Sequence, residues 1–280
     1  MPRKTIKNRA TLEGTGLHKG TPSRVTFLPA PGPTGLRFVI LGCTEPVPAR
    51  LGLVTGTARG TNINAGGKTL YTVEHLLSAA AGLGVDDLDI EISGEEPPAM
   101  DGSALPFAEA LLTAGLEEKP GQLRACARLA APVEFLKGET RYRAAPGPAG
   151  LAFRLVYEYP HRLVGRQALE LRLTPETYLT QVAPARTFGF DHEIAALKAA
   201  GLALGGSLEN AVVITEAEVL AKGGLRFADE FARHKLLDLI GDLALGGLAF
   251  DGLTIEAQRP GHAGNINFAK ILTENCTEPQ

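Results

Sequence analysis

The chain lacks several features that would define a protein class at once. It has three cysteines, Cys43, Cys126 and Cys276, and no C-x-x-C pair, which argues against a disulfide framework and against a thiolate metal site. No stretch reaches the roughly 18 consecutive apolar residues that a membrane-spanning helix needs. Residues 1–10 carry charge but no apolar run follows them, so we expect no signal peptide.

The charges are close to balanced. The 28 basic and 31 acidic residues give a formal net charge of −3, which offers no electrostatic footprint for nucleic acid. With 44% hydrophobic and 21% charged residues, the composition is that of a soluble globular protein. We expect a cytoplasmic monomer with no nucleic-acid partner and no stable membrane insertion. The 280 residues suffice for one large domain or for two of ordinary size.

The most informative stretch is residues 227–247, FADEFARHKLLDLIGDLALGG. Read as a helix, it is apolar on nearly every side, which is typical of a helix that is buried all round. It nevertheless carries His234, Asp238 and Asp242 at spacings of i, i+4 and i+8, so these side chains line one stripe. Buried ionisable groups are normally paired or bound to a metal. This helix alone fits both a hydrogen-bonded His–Asp pair and a metal site.

A second, shorter apolar helix is predicted over residues 72–82, with a threonine N-cap and a glycine at its end. It also carries an acid and a histidine, Glu74 and His75. If the two helices pack together, His75 can join His234 and Asp238. Two histidines and one aspartate with an open fourth position form the layout of a catalytic zinc site. Magnesium would require more oxygen ligands, whereas ferrous iron would suit the same three side chains.

The two halves of the chain resemble each other at two places. Residues 30–38 match residues 145–153 at seven of nine positions, and residues 82–91 match residues 247–256 at six of ten. The first match alone could reflect two similar proline–glycine turns. Each copy of the second match, however, follows an apolar helix and opens an alternating strand. We therefore predict a duplicated α+β unit whose two domains, of like topology, are joined by the turn-prone segment 117–121.

The predicted N-terminal domain spans residues 1–120 and carries the shorter helix, and the predicted C-terminal domain spans residues 121–280 and carries the longer one. Residues 188–214 have no counterpart of this length in the first half, so we interpret them as an insertion, with an amphipathic helix and a short strand. Beyond the longer helix and one further strand, residues 259–264 are predicted to form a loop that contains His262.

Glu74 and His262 are candidate acid–base residues. On a helix, Glu74 is turned about 100° from its neighbour His75, where a base for a metal-bound water is expected. The alternative is an acid placed at a helix start because the helix dipole favours it there. His262 can act as a general acid if Asp242 orients it and keeps it protonated. Otherwise it is an ordinary surface histidine.

Six short segments carry a family signature in their order and spacing: Thr72–His75, Met100–Ala104, Ala185–Phe190, Asp229–Asp238, Gly241–Asp242 and Gly261–Ala263. Together they resemble the UDP-3-O-acyl-N-acetylglucosamine deacetylases, the zinc amidohydrolases of bacterial lipid A synthesis. The resemblance runs from Thr5 to about Leu272, and residues 226–242 are its most specific part. Arg259 departs from the pattern, because small or lysine-type residues are more familiar before the glycine–histidine pair.

The resemblance implies a fold of two α+β domains, each with a sheet and two helices, and with the helix layers sandwiched between the two sheets. It implies that His75, His234 and Asp238 bind Zn²⁺. The implied reaction is hydrolysis of the N-acetyl group of UDP-3-O-(3-hydroxyacyl)-N-acetylglucosamine to the free amine and acetate, the committed step of lipid A biosynthesis. The expected partner is therefore a small molecule, a UDP-linked acylated amino sugar.

The resemblance also implies roles for residues around the metal. Glu74 would be the general base, and His262 the general acid supported by Asp242. Thr187 would supply an oxyanion-stabilising hydroxyl. Lys235 would lie near polar groups of the substrate.

Two further parts of the chain are assigned to substrate by the same resemblance. Phe188 would lie beside the sugar, and the insertion at residues 188–214 would form an apolar passage for the acyl chain.

Three other functions remain open on the sequence. A zinc amidohydrolase for another N-acetyl sugar would have no use for an apolar insertion. A non-catalytic protein that binds nucleotide sugars or acyl chains would not need Glu74 beside a complete ligand set. Two structural domains with a buried polar network would bind no metal.

Overall fold

The computed structural model describes residues 1–40 and 43–277. The α-helices of these residues are α1 (Glu74–Leu83), α2 (Leu105–Ala114), α3 (Pro175–Gln181), α4 (Asp191–Ala199), α5 (Glu230–Ala244) and α6 (His262–Asn275). The strands are β1 (Pro2–Ile6), β2 (Ala10–Thr15), β3 (Pro22–Pro29), β4 (Leu36–Ile40), β5 (Val47–Pro48), β6 (Val54–Gly56), β7 (Asn62–Ala65), β8 (Lys68–Leu70), β9 (Leu88–Ile92), β10 (Leu116–Leu123), β11 (Cys126–Leu129), β12 (Val133–Lys137), β13 (Thr140–Pro146), β14 (Leu151–Tyr159), β15 (Gly165–Leu173), β16 (Phe188–Phe190), β17 (Val212–Ile214), β18 (Val219–Leu220), β19 (Ala249–Phe250), β20 (Leu253–Gln258) and β21 (Cys276–Thr277). The α+β class predicted from the sequence is confirmed.

Two five-stranded sheets share one strand order. The first sheet is ordered β2-β3-β9-β4-β5, and the second β12-β13-β20-β14-β15. In each sheet the central strand comes last in the chain, and it pairs parallel with one neighbour and antiparallel with the other. The two sheets therefore have the same topology.

The sequence matches between the halves fall at equivalent positions of these sheets. Phe38 pairs with Ile90 in the first sheet, and Phe153 pairs with Ile255 in the second. Both pairs join the end of the first sequence match to the second match. All four side chains are buried, because alternate residues of a strand face the same side and these face the helices. This agreement is what a duplicated unit would produce, while a domain boundary at residue 120 stays a prediction.

Helices α1, α2, α5 and α6 form layers between the two five-stranded sheets. Helix α2 contacts β2 of the first sheet, α5 contacts β14 and β15 of the second, and α6 contacts β12 and β13. Helix α1 contacts both α2 and α5. The crossing of α1 and α5 is close because Gly241 has no side chain. A Cβ atom at Gly241 would lie 2.0 Å from the carbonyl oxygen of Glu74. This glycine thus allows the two chemistry-bearing helices to touch.

The ends of helix α1 differ slightly from the prediction, whereas the burial of helix α5 agrees with it. Helix α1 begins at Glu74, because Thr72 has a left-handed backbone with φ of 54° and does not serve as the N-cap. The helix runs past Gly82 and ends at Gly84, whose φ of 72° is the usual left-handed helix stop. Helix α5 is buried on nearly all sides, as its sequence predicted.

Two predicted irregular segments are regular in the structure. Residues 117–121, which were predicted to be a linker, lie within β10, and β10 pairs antiparallel with β1. The presumed loop 259–264 contains the start of α6, so His262 is the first residue of a helix. The glycines and prolines in these segments suggested turns, but pairing with a distant strand and packing against α5 decide the outcome.

The predicted insertion at residues 188–214 forms β16, α4 and β17, and a three-stranded sheet is completed by β18. The first half also holds a three-stranded sheet, β6-β7-β8, which precedes α1 and is formed by a shorter stretch of chain without an α-helix. The two excursions therefore differ in length and in the presence of a helix. Within the described part of the chain, no helix combines the length and apolarity that crossing a membrane requires.

Candidate active site and metal centre

Helices α1 and α5 bring three metal-ligand side chains together where they cross. One ligand atom from each of His75, His234 and Asp238 lies within 4.8 Å of the others, and all three residues are buried. The two imidazole rings meet edge to face, with centroids 5.1 Å apart. The sequence predicted this group from helical spacing on α5 and from the assumption that the two helices pack together.

The Asp238 carboxylate has one satisfied and one unsatisfied oxygen. Its Oδ2 accepts a hydrogen bond from Lys235 Nζ at 2.8 Å. Its Oδ1 is buried without a hydrogen-bond partner among the described residues, and it lies 3.6 Å from His75 Nε2 and 3.4 Å from His234 Nε2. A buried carboxylate oxygen without a partner is costly in a folded protein. This oxygen therefore fits a metal ligand.

His234 is prepared as a neutral ligand. Its Nδ1 lies 3.1 Å from the carbonyl oxygen of Ala185, which can only accept a hydrogen bond. The proton therefore sits on Nδ1, and the lone pair of Nε2 faces Asp238. Burial lowers the pKa of His234 to about 3, although Asp238 acts in the opposite direction. A neutral imidazole with a free Nε2 is the form that binds metals.

Asp238 is ionised despite its burial. Burial by itself would raise its pKa, but the positively charged Lys235 and His262 beside it hold the pKa of this carboxyl well below its usual value. Asp238 therefore stays negatively charged throughout the neutral pH range.

Glu74 lies beside the three ligand side chains, in the first turn of α1. Its Oε2 accepts a hydrogen bond from the Thr61 backbone N–H at 2.9 Å, and its Oε1 lies 3.9 Å from His262 Nε2. Burial raises the pKa of Glu74 above its usual value, against the opposing influence of His262 and His75. A carboxylate with a raised pKa is suited to accept a proton near neutral pH.

His262 faces the site from the start of α6. Its Nδ1 lies 3.1 Å from Asp242 Oδ2, and its Nε2 lies 3.8 Å from Asp238 Oδ2. Burial acts to lower its pKa, but Asp238, Asp242 and Glu74 outweigh burial and raise the pKa to about 9. His262 is therefore protonated at neutral pH. The contact between His262 and Asp242, which the sequence could only suggest, is present.

Sequence reasoning missed two residues that complete the surroundings of Asp242. The Thr61 hydroxyl donates to Asp242 Oδ1 at 2.5 Å, and Asn265 Nδ2 donates to Asp242 Oδ2 at 2.8 Å. Asn265 lies three residues after His262 on one helical face, so a correct helix prediction there would have indicated it. No sequence signal distinguishes Thr61.

A second group of ligand-type side chains overlaps the first. Ligand atoms of Glu74, Asp238 and His262 also lie within 4.8 Å of one another. In this group the histidine is protonated, because three carboxylates surround it. The group around His75 and His234 is the better candidate metal site, since the Nε2 atoms of both histidines lie beside the unsatisfied Oδ1 of Asp238.

These side chains line a cleft of about 230 Å³ between the two halves. Aromatic side chains from the second half form one wall, namely Tyr157, Tyr159, Phe188 and Phe190. Arg59 and Glu193 lie at the same cleft and form an ion pair of 2.8 Å between Nη2 and Oε1. The cleft is therefore polar at the metal-ligand group and aromatic on one side.

The remaining predicted site residues also line the cleft. Thr187, Phe188 and Lys235 are all among its lining side chains. The Lys235 ammonium lies 5.3 Å from the Phe188 ring centroid, and the Phe188 ring packs on Phe231 with centroids 4.7 Å apart. Burial acts to lower the pKa of Lys235, but Asp238 and Tyr157 raise it above its usual value, so the side chain is charged.

Comparison with known proteins identifies the family. A family model for UDP-3-O-acyl N-acetylglycosamine deacetylase matches residues 3–274. The UDP-3-O-acyl-N-acetylglucosamine deacetylase of Anaeromyxobacter sp. (strain Fw109-5) is 41% identical over 273 residues, which cover 97% of this chain and 89% of that protein. The chain belongs to the UDP-3-O-acyl-N-acetylglucosamine deacetylase family.

Other members show similar agreement. Deacetylases of the same name from Oleidesulfovibrio alaskensis and Wolinella succinogenes are 41% and 38% identical to the chain. The alignments cover 98% and 100% of this chain and 90% and 92% of those proteins. Membership of the UDP-3-O-acyl-N-acetylglucosamine deacetylase family makes the protein an enzyme, a deacetylase that acts as an amidohydrolase. The resemblance stated from the sequence is confirmed.

Proposed function

We propose that this enzyme uses Zn²⁺ to hydrolyse the acetamide of UDP-3-O-(3-hydroxyacyl)-N-acetylglucosamine, which yields the free amine and acetate in lipid A biosynthesis. The observation that carries the proposal is the buried Asp238 Oδ1, which faces two imidazole nitrogens and has no hydrogen-bond partner within the described ranges. An acid–base pair beside it, Glu74 and His262, supplies the groups that amide hydrolysis needs. We expect the enzyme to be a cytoplasmic monomer that acts on a small-molecule substrate.

The side chains fit zinc by the chemistry of their donors. Two imidazoles and one carboxylate, from His75, His234 and Asp238, form a common three-ligand set for catalytic zinc. When bound, Zn²⁺ would supply Lewis acidity that lowers the pKa of a water and polarises a carbonyl oxygen. The remaining catalytic work falls to side chains of the cleft.

Glu74 is the proposed general base. Its carboxylate is buried beside the ligand group, and the Thr61 N–H that bonds to Oε2 fixes its orientation while Oε1 faces the site. Glu74 removes a proton from water as the water attacks the acetamide carbon. General acid–base assistance of this kind typically contributes about 10²–10⁴-fold to a rate.

His262 is the proposed general acid, and Asp242 is its supporting residue. Asp242 contacts Nδ1 of the imidazole, so the protonated Nε2 points toward Glu74 and Asp238. His262 gives this proton to the departing amine nitrogen when the C–N bond breaks. Thr187 donates its hydroxyl to the developing oxyanion, which is an interaction made mainly in the transition state.

The substrate is proposed to occupy the aromatic part of the cleft. Phe188 lines it and packs on Phe231, so a rigid apolar surface adjoins the reaction centre. Lys235 carries the positive charge that polar substrate oxygens would contact. The acyl chain would follow the insertion at residues 188–214, which contributes Phe190 and Glu193 to the cleft lining.

The deciding experiment measures acetate release from UDP-3-O-(3-hydroxyacyl)-N-acetylglucosamine. The protein is stripped of metal with a chelator and then reloaded with Zn²⁺. We expect activity to vanish on stripping and to return with zinc. Zinc-loaded, folded protein that releases no acetate would rule out this substrate, and equal rates on a substrate without the acyl chain would argue against the passage.

A matched pair of histidine variants tests the acid assignment. His262→Ala should retain zinc and lose about 10²–10⁴-fold in kcat, because the leaving amine is no longer protonated by the enzyme. His192→Ala removes an exposed histidine of α4 that does not line the cleft, so kcat should stay at the parent value even if this change affects the acyl passage and KM. Full activity of His262→Ala would show that another group protonates the amine.

A further inference from the structure

We propose that Arg186 and Glu230 are positioning residues that lock the segment 185–187 onto helix α5. The lock would set the orientation of His234 and the location of Thr187 at the same time. This inference rests on the zinc site and on the oxyanion role of Thr187 proposed above. It assigns a task in the reaction to two buried charged residues that do not line the cleft themselves.

The two side chains form a buried, bidentate ion pair. Arg186 is 3% exposed and Glu230 is 0% exposed. Arg186 Nε donates to Glu230 Oε1 at 2.8 Å, and Nη2 donates to Oε2 at 3.1 Å. The planar guanidinium matches the carboxylate at two points, which fixes direction as well as distance. The positive and negative charges cancel, so the pair acts on its surroundings through geometry.

Each oxygen of Glu230 accepts two N–H groups. Oε1 also accepts from the Arg186 backbone N–H at 3.1 Å, and Oε2 accepts from the Arg226 backbone N–H at 2.6 Å. The other guanidinium donors reach the carbonyl oxygens of Lys222 at 3.0 Å and Gly224 at 2.6 Å. Both carboxylate oxygens therefore accept two N–H donors each and the guanidinium makes four hydrogen bonds, and the network ties two stretches of backbone to the first residue of α5.

The residues directly before and after Arg186 both reach the proposed reaction centre. Just before Arg186, the carbonyl of Ala185 contacts His234 Nδ1 at 3.1 Å and selects the tautomer of this ligand. Just after Arg186, Thr187 lines the cleft. Glu230 precedes His234 by one helical turn on the same helix. The ion pair thus fixes the position of the Thr187 side chain relative to His234, the proposed ligand.

The first half of the chain joins this arrangement through the turn at residues 101–103. The carbonyl of Gly102 accepts the Thr187 N–H at 2.9 Å, and Asp101 accepts from Arg226 Nη2 at 2.8 Å. Gly102 has φ of +84°, and a Cβ atom there would lie 2.0 Å from the Asn210 carbonyl oxygen. Only glycine fits this position. The Asp-Gly-Ser turn is thereby explained as a second support of Thr187.

The test variant is Glu230→Gln, measured against the parent. Because each carboxylate oxygen accepts two N–H groups, an amide NH₂ at either position faces two donors and must displace them. We expect the zinc Kd to rise about 10–100-fold, the effect typical of lost support behind a metal ligand. We also expect kcat to fall at least tenfold with KM nearly unchanged, since the oxyanion contact matters mainly in the transition state.

The matched control is Asp87→Asn, which disrupts another bidentate arginine–carboxylate pair, formed outside the cleft by buried Asp87 and half-buried Arg3. This control should lower the Tm while the zinc Kd and kcat stay at parent values. If Glu230→Gln likewise lowers only the Tm, the ion pair merely stabilises the fold and the proposal is wrong. Arg186→Lys, which keeps the charge but loses the fork, provides the same comparison should Glu230→Gln fail to fold.

A measurement on the unmodified protein separates this inference from the proposed function. Hydrogen–deuterium exchange of the metal-free protein should show strong protection of the Arg186 and Arg226 amides, because both donate to buried Glu230. Exchange at unfolded-chain rates until zinc is added would overturn the proposal. Protected amides in a protein that binds no zinc would instead count against the proposed metal site alone.

Discussion

Asp87 and Asp238 are two buried aspartates with opposite surroundings. Asp87 is 0% exposed and accepts four hydrogen bonds, two from the Arg3 side chain and one each from the Thr34 and Gly35 backbone N–H groups. Asp238 is 1% exposed, and among the residues that the structure describes only its Oδ2 has a hydrogen-bond partner. Both carboxyl groups have lowered pKa values and are charged at neutral pH.

The difference separates a structural charge from a functional one. A carboxylate whose oxygens are all satisfied by the protein can contribute to stability and has no capacity left for a ligand. A carboxylate that keeps one oxygen free in a buried site retains that capacity at a cost in stability. Burial and negative charge are common to both residues, so the missing hydrogen bond is the feature that favours Asp238 as the proposed ligand.

The largest effect is expected from Asp238→Ala. Without this carboxylate the site has two ligands, so we expect loss of the bound zinc and of detectable acetate release. The test is the zinc content per chain. Circular dichroism checks separately that the variant is folded. A variant that still bound one zinc ion tightly would place Asp238 with Asp87 as a structural charge.

Glu74→Gln should have the next largest effect. The amide cannot accept a proton at neutral pH, so kcat should fall about 10²–10⁴-fold while zinc content stays at the parent value. This variant adds a third case to the comparison of Asp87 with Asp238. In our proposal the Glu74 carboxylate is buried but neither binds the metal nor forms an ion pair with lysine or arginine. Parent-level kcat in zinc-loaded Glu74→Gln would exclude this residue as the base.

Thr187→Val should reduce kcat by about 10²-fold, the typical loss when one oxyanion donor is removed. The side chain keeps its shape and loses its hydroxyl, so zinc content and Tm should change little. Steady-state kinetics separate the effect from binding: a rise in KM at constant kcat would indicate a ground-state contact with substrate instead.

Asp87→Asn should leave activity unchanged and lower the free energy of unfolding by about 3 kcal/mol, because Arg3 then lacks its charged partner. The measurement is urea denaturation at neutral pH. Since its partner Arg3 is partly exposed, a smaller loss would mean that water satisfies the arginine. Reduced acetate release at full zinc occupancy would contradict the separation of the two aspartates.

Asp87→Asn should also change how the free energy of unfolding depends on pH. Burial raises the pKa of Asp87, but the Arg3 side chain and the Gly35 and Thr34 N–H groups outweigh burial and lower it. A carboxyl with a lowered pKa contributes stability above its unfolded pKa of about 3.9, and this contribution is lost as the pH falls through the folded value. Between pH 7 and pH 2, stability of Asp87→Asn should therefore fall less steeply than that of the parent. Parallel curves would show that Asp87 does not titrate with unfolding.

Much of the site could be predicted because it depends on helical spacing. His234, Asp238 and Asp242 repeat every four residues in an apolar stretch, so one helix had to present them on one side. The apolar pattern of residues 72–82 then indicated a second helix that carries Glu74 and His75, and the family resemblance implied their roles. The start of α6 at His262 was missed, because glycine and proline around it suggested a loop, whereas contact with α5 stabilises the helix.

The sequence by itself determined which side chains could act and which helices would carry them, since periodicity and residue type are local properties. It also determined the repeat, whose paired residues occupy equivalent places in both sheets. Only the tertiary structure decided that α1 and α5 cross at Gly241, that Asp238 Oδ1 has no partner within the described residues, and that Glu230 locks the chain beside Thr187. These are contacts between residues far apart in the chain, and their geometry depends on how every layer of the fold packs.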